Sequence, residues 1–207
     1  MIMASGGLRV DLKLIADMVE PSSRVLDVGC GEGTLLAWLG KHKNVDGRGI
    51  EISMAGVSAA VAQGLSVIQG DADTDLKDYP SQAFDTVILS QTLQATYAPK
   101  EVLSHMLRIG RRAIVSFPNF GHWRVRADLL VAGRMPVTAT LAYEWYDTPN
   151  IHFCTVRDFL ILCQELGITV EKGIALDREG GVLPFPGSGW LANMFAAQAL
   201  FVLSRKG

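Results

Sequence analysis

The chain has 207 residues and a formal net charge of −2; hydrophobic residues make up 49% of it and charged residues 19%. A chain of this length buries about 70% of its unfolded surface, enough for one complete core, so extensive disorder is excluded. The acidic balance argues against a nucleic-acid-binding protein, which needs a basic face. The three cysteines form no CxxC pair, so neither a zinc site nor a disulfide framework is indicated.

The first half of the chain predicts alternating helices and strands. Residues 1–7 are interpreted as a flexible leader, and apolar residues at helical spacing predict a helix over residues 8–19. Strands are predicted at residues 25–28, 45–52, 65–69 and 84–90, and helices at residues 34–39 and 53–62. Ser53 is expected to cap the last of these helices at its N-terminus.

The second half continues the same alternation. Helices are predicted at residues 99–109 and 155–166, and strands at residues 112–117, 170–175 and 199–204. This order predicts a single α/β domain with a seven-stranded sheet. The most apolar stretch, residues 190–203, is too short to cross a bilayer, and the chain shows no signal sequence, so we expect no membrane partner and a cytoplasmic location.

A glycine-rich turn follows the first strand. Residues 27–33 read DVGCGEG, without the third glycine of a dinucleotide loop or the Gly-Lys-Ser/Thr of a P-loop. The only charges in the turn are Asp27 and Glu32, which would repel a pyrophosphate and attract a cation. S-adenosylmethionine carries an ammonium, a sulfonium and a ribose diol but no phosphate. The turn therefore predicts an S-adenosylmethionine site.

Acidic residues follow the next two strands. Glu51 lies about 20 residues past the turn, where a ribose-binding acid is expected. Asp71 could accept a hydrogen bond from an adenine amino group, and the Ala72 backbone N–H could reach a ring nitrogen. Asp is also favoured in turns and caps, so Asp71 alone leaves both interpretations open. Because the glycine turn, Glu51 and Asp71 follow three different strands and all suit the same ligand, together they favour a cofactor site.

These segments and the fourth strand, residues 84–90 (FDTVILS), resemble the class I S-adenosylmethionine-dependent methyltransferases over about residues 10–117. The resemblance implies a Rossmann-like, mostly parallel sheet with helices on both faces and an antiparallel last strand between the fifth and sixth. It also implies a set of cofactor-binding residues, with the last two beside the methyl-transfer position: Asp27, Gly29, Cys30, Gly31, Glu51, Ile52, Asp71, Ala72, Ser90 and Gln91.

Residues 118–155 form a long insertion between the fifth strand and its helix. It holds two of the four tryptophans, two of the four tyrosines and two of the four histidines. Such a segment is typically a lid or binding element, although a local mini-core of aromatic residues is equally expected. The candidates for substrate or partner contact are His122, Trp123, Tyr143, Glu144, Trp145, Tyr146 and His152. The two histidines lack metal-ligand spacing, so no metal site is predicted.

Three segments sharpen the resemblance: residues 90–95 (SQTLQA), 117–126 (FPNFGHWRVR) and 143–155 (YEWYDTPNIHFCT). They closely resemble the methionine-biosynthesis family MetW. The resemblance implies a bacterial protein that works beside the homoserine O-acyltransferase MetX. Nothing in composition or spacing indicates this pathway independently.

Three classes of function are considered: a small-molecule methyltransferase, a non-catalytic cofactor-binding activator of the acyltransferase, and acyl transfer by this chain. The third requires a Gly-x-Ser-x-Gly elbow, and the nearest sequence, residues 187–189 (GSG), is expected to follow prolines rather than a strand. No catalytic base is identified. We favour the activator and retain the methyltransferase as the alternative.

Overall fold

The computed structural model describes residues 8–138, 141 and 143–205, so the leader predicted over residues 1–7 lies outside the described residues. The described strands are β1 (Arg24–Val28), β2 (Asp46–Glu51), β3 (Ser66–Gln69), β4 (Phe84–Ser90), β5 (Gly110–Pro118), β6 (Ile168–Leu176), β7 (Val182–Pro186) and β8 (Gln198–Arg205). The described helices are α1 (Val10–Met18), α2 (Thr34–Lys43), α3 (Met54–Ala62), α4 (Pro99–Ile109), α5 (Trp123–Ala132), α6 (Val156–Glu165) and α7 (Trp190–Phe195).

The strands form one sheet in the order β3-β2-β1-β4-β5-β8-β6-β7. The first five are parallel neighbours, and β8 pairs antiparallel with both β5 and β6. The mostly parallel α/β fold and the placement of the antiparallel last strand are therefore confirmed. The carboxyl ends of β1, β2, β3 and β4 meet at one edge, where ligands of such sheets bind.

The predicted number of seven strands is wrong, because the described sheet has eight. The additional strand is β7, whose sequence VLPFP contains two prolines and therefore does not have a strand pattern. Proline is tolerated here because β7 lies at the edge of the sheet and pairs only with β6 among the described residues. Consequently residues 187–189 do follow a strand, contrary to expectation.

The sheet separates two apolar layers. Alternate residues of β4 face opposite sides: Val87 and Leu89 belong to the cluster that includes α4 and α6 residues, and Ile88 to the one that includes α1 and α2 residues. All three are fully buried. Because the central strands are covered on both faces, the parallel sheet is a rigid support for the loops at its carboxyl edge.

Several predictions made from local sequence patterns are confirmed. β4 and α4 begin and end where predicted, with Pro99 in the first turn of α4. At α6, the Thr155 hydroxyl accepts from the N–H of Asp158 at 3.2 Å and donates to its carboxylate at 2.6 Å. Helices α5 and α7 were not predicted. In α5 the apolar residues Leu130 and Val131 lie in solvent rather than on a buried stripe, so no helical periodicity is visible.

Candidate functional site

A cavity of about 470 Å³ opens at the carboxyl ends of β1 and β4. Six of the predicted cofactor-binding residues line it: Asp27, Gly29, Cys30, Gly31, Ser90 and Gln91. The other four are not in its wall: Glu51, Ile52, Asp71 and Ala72. These four follow or end β2 and β3, the next two strands along the same edge. The predicted residues at the ends of β1 and β4 therefore share one cavity, and those at the ends of β2 and β3 follow along the same edge of the sheet.

The glycine turn is held rigidly against β2. The backbone N–H groups of Gly29 and Cys30 both donate to the Ile50 carbonyl, at 2.8 and 3.1 Å. Gly29 has a φ of +72°, and a Cβ there would lie 2.7 Å from the Thr92 hydroxyl. At Gly31 a Cβ would meet nothing within 4 Å. Gly29 is therefore required by packing within the protein, whereas Gly31 leaves the backbone open toward the cavity.

Asp27 is a buried acid in the wall of the cavity. Its side chain is 3% exposed, and neither carboxylate oxygen makes a hydrogen bond to any described residue. Burial, and secondly the negative charge of Glu51, raise the pKa of Asp27 from 3.8 to about 7. Buried polar groups normally have partners, so an unpaired carboxyl in a cavity wall marks a place where a ligand donor fits.

Glu51 is fixed by the backbone on both of its oxygens. Oε2 accepts the N–H of Gly31, and Oε1 accepts the N–H of Ser53, each at 2.8 Å. The first bond ties the end of β2 to the glycine turn, and the second lies at the start of α3. Each carboxylate oxygen keeps further lone-pair capacity. The side chain therefore shapes the turn and still retains acceptor sites.

The loop after β3 has a turn structure built on acids. Asp71 accepts the N–H of Asp73 at 2.9 Å, which is the local turn role left open by the sequence. Asp73 in turn accepts the N–H groups of Tyr97 and Ala98, both at 2.8 Å. The N–H of Ala72 donates no hydrogen bond within the described part of the chain. The loop is therefore anchored to the start of α4 while one backbone donor stays available.

At the end of β4, Ser90 and Gln91 border the cavity. The Ser90 hydroxyl lies 3.2 Å from that of Ser116 on β5, and the Gln91 N–H donates to the Ser116 carbonyl at 2.9 Å. Gln91 has a φ of +56°, a left-handed conformation that is unfavourable for a residue with a side chain. Such strain is retained only where the surroundings impose it, and it is common at functional sites.

The insertion contains both a small core and an exposed aromatic surface. Phe120, Val125 and Leu141 form a buried cluster, with Phe153 packed edge-on against Phe120 at 4.8 Å between ring centroids. The candidates from the next segment lie outside it: Tyr143, Trp145 and Tyr146 are 52%, 71% and 72% exposed, and Glu144 is also exposed. Tyr143 and Trp145 line a small pocket with Phe120 and Phe153, so the mini-core contacts part of these two rings, while more than half of each residue and of Tyr146 stays exposed.

The two insertion histidines have structural contacts. His122 is buried and caps α5, because its Nδ1 accepts the N–H of Arg124 at 3.2 Å. Burial, followed by the charges of Arg124 and Arg178, lowers the pKa of His122. His152 is exposed, with Nε2 3.4 Å from the Tyr97 carbonyl. Trp123, at the start of α5, is 44% exposed. None of these candidates lines the cavity at β1 and β4.

Sequence reasoning named Glu32 as a charge of the turn but missed four other residues of the cavity wall: Arg9, Leu12, Thr34 and Leu35. Arg9 adds a cation to the site, and its guanidinium also pairs with Asp11 at 2.6 Å. Arg9 reaches the cavity because α1 packs beside α2, which follows the glycine turn. No motif in the sequence marks this residue, since the packing of an N-terminal helix is a tertiary feature.

The family model described as methionine biosynthesis protein MetW matches residues 9–203. The chain belongs to the MetW family. The family is described as one of methionine biosynthesis, as the resemblance of the chain's motifs predicted.

A curated relative agrees with this assignment, and solved structures agree with the fold. The bifunctional methionine biosynthesis protein MetXA/MetW of Rhodopirellula baltica is 34% identical over 183 residues, 84% of this chain. This MetW-family chain spans only 29% of the length of that relative. A chain from the complex of the Haloferax volcanii Trm112 methyltransferase activator with a methyltransferase has a TM-score of 0.71 at 15% identity, covering 96% of this chain and 90% of that one. An S-adenosylmethionine-dependent methyltransferase from Mesorhizobium loti has a TM-score of 0.68 at 18% identity, with coverages of 93% and 96%. At these identities the two structures show the fold alone.

Two further observations concern the described residues of this MetW-family chain. None of its helices is long and apolar enough to cross a membrane. All three cysteines are free thiols, and burial raises the pKa of each to about 12. Thiols that stay protonated at neutral pH are poor nucleophiles, so the pKa of Cys30 does not indicate a nucleophilic role in the cavity wall.

Proposed function

We propose that the cavity binds S-adenosylmethionine, or its demethylated product S-adenosylhomocysteine. The observation that carries this proposal is the buried, unpartnered carboxyl of Asp27 in the cavity wall. A ligand ammonium would supply its missing hydrogen bond, and bonds between charged groups are worth about 1.5–3 kcal/mol each. Arg9 in the same wall suits the carboxylate of the same amino-acid group. When bound, S-adenosylmethionine supplies an electrophilic methyl group.

The neighbouring strand ends suit the nucleoside half of this ligand. Glu51 is held by two backbone N–H groups but keeps acceptor capacity for ribose hydroxyls. Ile52 is 64% exposed, so it offers an apolar surface beside Glu51 for a base. Asp71 and the unpaired N–H of Ala72 lie on the loop of the next strand. We assign these four residues to the ribose and adenine, although they are outside the wall of the cavity itself.

We further propose that the chain partners and activates a homoserine O-acyltransferase of the MetX type. The relative from Rhodopirellula baltica carries MetXA and MetW in one polypeptide. Fusion holds two domains at a high effective concentration, which benefits proteins that act together. Within this chain the exposed rings of Tyr143, Trp145 and Tyr146 are the candidate docking surface. Tryptophan and tyrosine are common anchors at interfaces, and three exposed rings within four residues form a cluster, unlike the single exposed ring of Trp190.

Acyl transfer by the chain itself is disfavoured on structural grounds. Ser188 follows strand β7 and precedes α7, so the order of elements resembles a nucleophile elbow. However, Ser188 is not among the described non-glycine residues with positive φ, and it makes no hydrogen bond to a described histidine. A serine nucleophile needs both the strained turn and an adjacent base. The role proposed here is therefore activation of the partner.

Methyl transfer by this chain is the second candidate. It is favoured by one observation, that the cavity extends to Ser90 and Gln91, where the resemblance places the methyl-transfer position. A displacement at a sulfonium methyl depends mainly on alignment, which can supply about 7–11 kcal/mol. Incubation with methyl-labelled S-adenosylmethionine and a metabolite extract separates the two candidates. A labelled product favours the methyltransferase, and unchanged cofactor favours the activator.

Two tryptophans of equal exposure provide a matched test of the docking surface. Trp145 lies in the insertion and is 71% exposed, whereas Trp190 lies at the start of α7 and is 72% exposed. We expect Trp145→Ala to weaken binding to the acyltransferase about 10-fold or more, as for a typical anchor residue. Trp190→Ala is expected to leave it within twofold. Equal effects of the two substitutions, measured by calorimetry, would remove the insertion from the interface.

A further inference from the structure

Gln94 contains a buried atom without a hydrogen bond. The residue is 6% exposed, and its Oε1 is the only fully buried side-chain oxygen or nitrogen among the described residues that has no partner, since the carboxylate of Asp27 is open to the cavity. Native structures contain few such groups, because an unpaired buried acceptor costs free energy. A feature of this kind at a turn next to the cavity suggests a role that outweighs its cost.

Gln94 connects the cavity with the insertion. Its Nε2 donates to the carbonyl of Gln91, a cavity-wall residue, at 2.7 Å. Its own carbonyl accepts the N–H groups of Ile151 and His152, at 2.8 and 3.0 Å. One residue in the turn Leu93–Ala95 is therefore hydrogen-bonded both to the residue after β4 and to the backbone of the insertion.

At this end of the connection the Ser116 carbonyl accepts the Gln91 N–H at 2.9 Å, and only the side chain of Gln91 is held loosely. Its backbone has the unfavourable φ of +56°, and its side-chain Nε2 lies 3.5 Å from both Ser116 Oγ and Gln198 Oε1. Contacts at that distance are at the limit of hydrogen bonding. A cavity ligand that offers Gln91 a better partner therefore has little to displace, and relief of the strained φ favours a change of conformation.

A second contact route reaches the same part of the insertion. Asp73, on the loop assigned to adenine, accepts the N–H groups of Tyr97 and Ala98. The Tyr97 carbonyl lies 3.4 Å from Nε2 of His152. The ends of β3 and β4 thus both connect to residues 151–152, and the adjoining Phe153 is 52% exposed.

We propose that Gln94 is a positioning residue through which occupancy of the cavity determines the conformation of the insertion. This inference rests on the proposed binding of S-adenosylmethionine or S-adenosylhomocysteine. When a ligand engages Gln91, the bond from Gln94 Nε2 carries the change to the Leu93–Ala95 turn. The Gln94 carbonyl then carries it to residues 151–152. A ligand shifts such an equilibrium only if it binds one conformation more tightly than the other, so the two sites must show reciprocal coupling.

Hydrogen exchange in the isolated chain tests this without the acyltransferase. The measurement compares a peptide covering residues 150–154, with and without saturating S-adenosylhomocysteine. In the wild type we expect ligand to change exchange at 151–152 by about fivefold or more, the lower end of typical coupling. Gln94→Met removes the side-chain bond to Gln91 together with the unpaired side-chain oxygen Oε1, and it keeps the backbone carbonyl that accepts from Ile151 and His152. The variant should therefore fold normally and bind the ligand with an affinity within about threefold of the wild type, but lose the exchange response.

Two other variants keep the test decisive. Gln94→Asn retains an amide that is one methylene shorter, so it should lose the response even if the methionine variant is unstable. Thr96→Val is the matched control: it removes a 2.8 Å bond from the Thr96 hydroxyl to the Leu93 carbonyl beside the same turn, and that hydroxyl has no hydrogen bond to Gln91 or to the described residues of the insertion. It should retain the full response.

The outcomes separate this inference from the proposed function. If S-adenosylhomocysteine does not bind the wild type, the cofactor assignment is wrong, and the proposed coupling through Gln94 is wrong as well. If the ligand binds but exchange at 151–152 does not change, only the connection is wrong. A response that persists in Gln94→Met or Gln94→Asn, or that disappears equally in Thr96→Val, likewise overturns the role of Gln94.

Discussion

Replacement of Asp27 by asparagine should stabilise the ligand-free protein and weaken its ligand binding. The pKa of Asp27 is raised from 3.8 to about 7, first by burial and then by Glu51. Between about pH 4 and pH 7 the folded state keeps a proton that the unfolded chain has released, so stability falls as the pH rises through this window. At about 1.36 kcal/mol per pH unit the total loss is at most about 4 kcal/mol. Asparagine cannot ionise and avoids this loss.

Thermal unfolding of ligand-free wild type and Asp27→Asn at several pH values measures the effect. At pH 8 we expect the variant to be more stable by about 2–4 kcal/mol, or about 5–10 °C in melting temperature. The difference should shrink toward zero near pH 4. Glu51→Gln is the contrasting control: Glu51 accepts two backbone N–H bonds, so its replacement should destabilise the protein by about 1–2 kcal/mol. A pH-independent gain at Asp27, or no gain at pH 8, would refute this reasoning.

The same group should make ligand binding depend on pH. An ammonium binds the ionised carboxylate, so protons compete with the ligand below the Asp27 pKa of about 7. The dissociation constant of S-adenosylhomocysteine should therefore decrease about 15-fold from pH 5.5 to pH 7 in the wild type. In Asp27→Asn, affinity at pH 7 should be about 10- to 100-fold weaker and nearly independent of pH over this range. Equal affinities for the two proteins would remove Asp27 from the site.

Three further outcomes are expected. Glu51→Gln should weaken S-adenosylhomocysteine binding about 10-fold by calorimetry, whereas Glu165→Gln, on the exposed end of α6, should have no effect; similar constants for all three proteins would contradict the ribose assignment. Arg9→Met should weaken binding of the same ligand about 10-fold but leave the affinity for adenosine unchanged, because adenosine lacks the carboxylate assigned to Arg9. Weaker binding of both ligands would indicate a structural role for Arg9 instead. The isolated chain should not acylate homoserine, and Ser188→Ala should not change acyltransferase activity of the complex; turnover by the chain alone would contradict the proposed activation.

The sequence predicts the fold well where local signals and burial agree. β4 and α4 have clear periodicity and clear ends, and the structure places both as predicted. Strand β7 was missed because prolines are acceptable only at a sheet edge, and edge position depends on the packing of distant strands. Helix α5 was missed because its exposed Leu130 and Val131 do not mark a buried face.

The lining of the cavity was predictable in part for the same reason. Asp27, Gly29 and Gly31 alternate within one short motif whose spacing predicts a ligand turn, and all three line the cavity. Arg9 reaches that cavity only through the packing of α1, so no local pattern reveals it. The unpaired Oε1 of Gln94 depends on contacts between segments about 60 residues apart, which one sequence does not show.

Acyltransferase turnover tests the central claim most directly. Purified homoserine O-acyltransferase is assayed alone, with this chain, and with this chain plus S-adenosylmethionine, and Trp145→Ala and Trp190→Ala are included as the matched pair. Activation of the partner predicts that turnover rises severalfold on addition of the wild type or Trp190→Ala and much less on addition of Trp145→Ala. Turnover that is identical with and without the chain, at saturating concentrations of the chain, would contradict it.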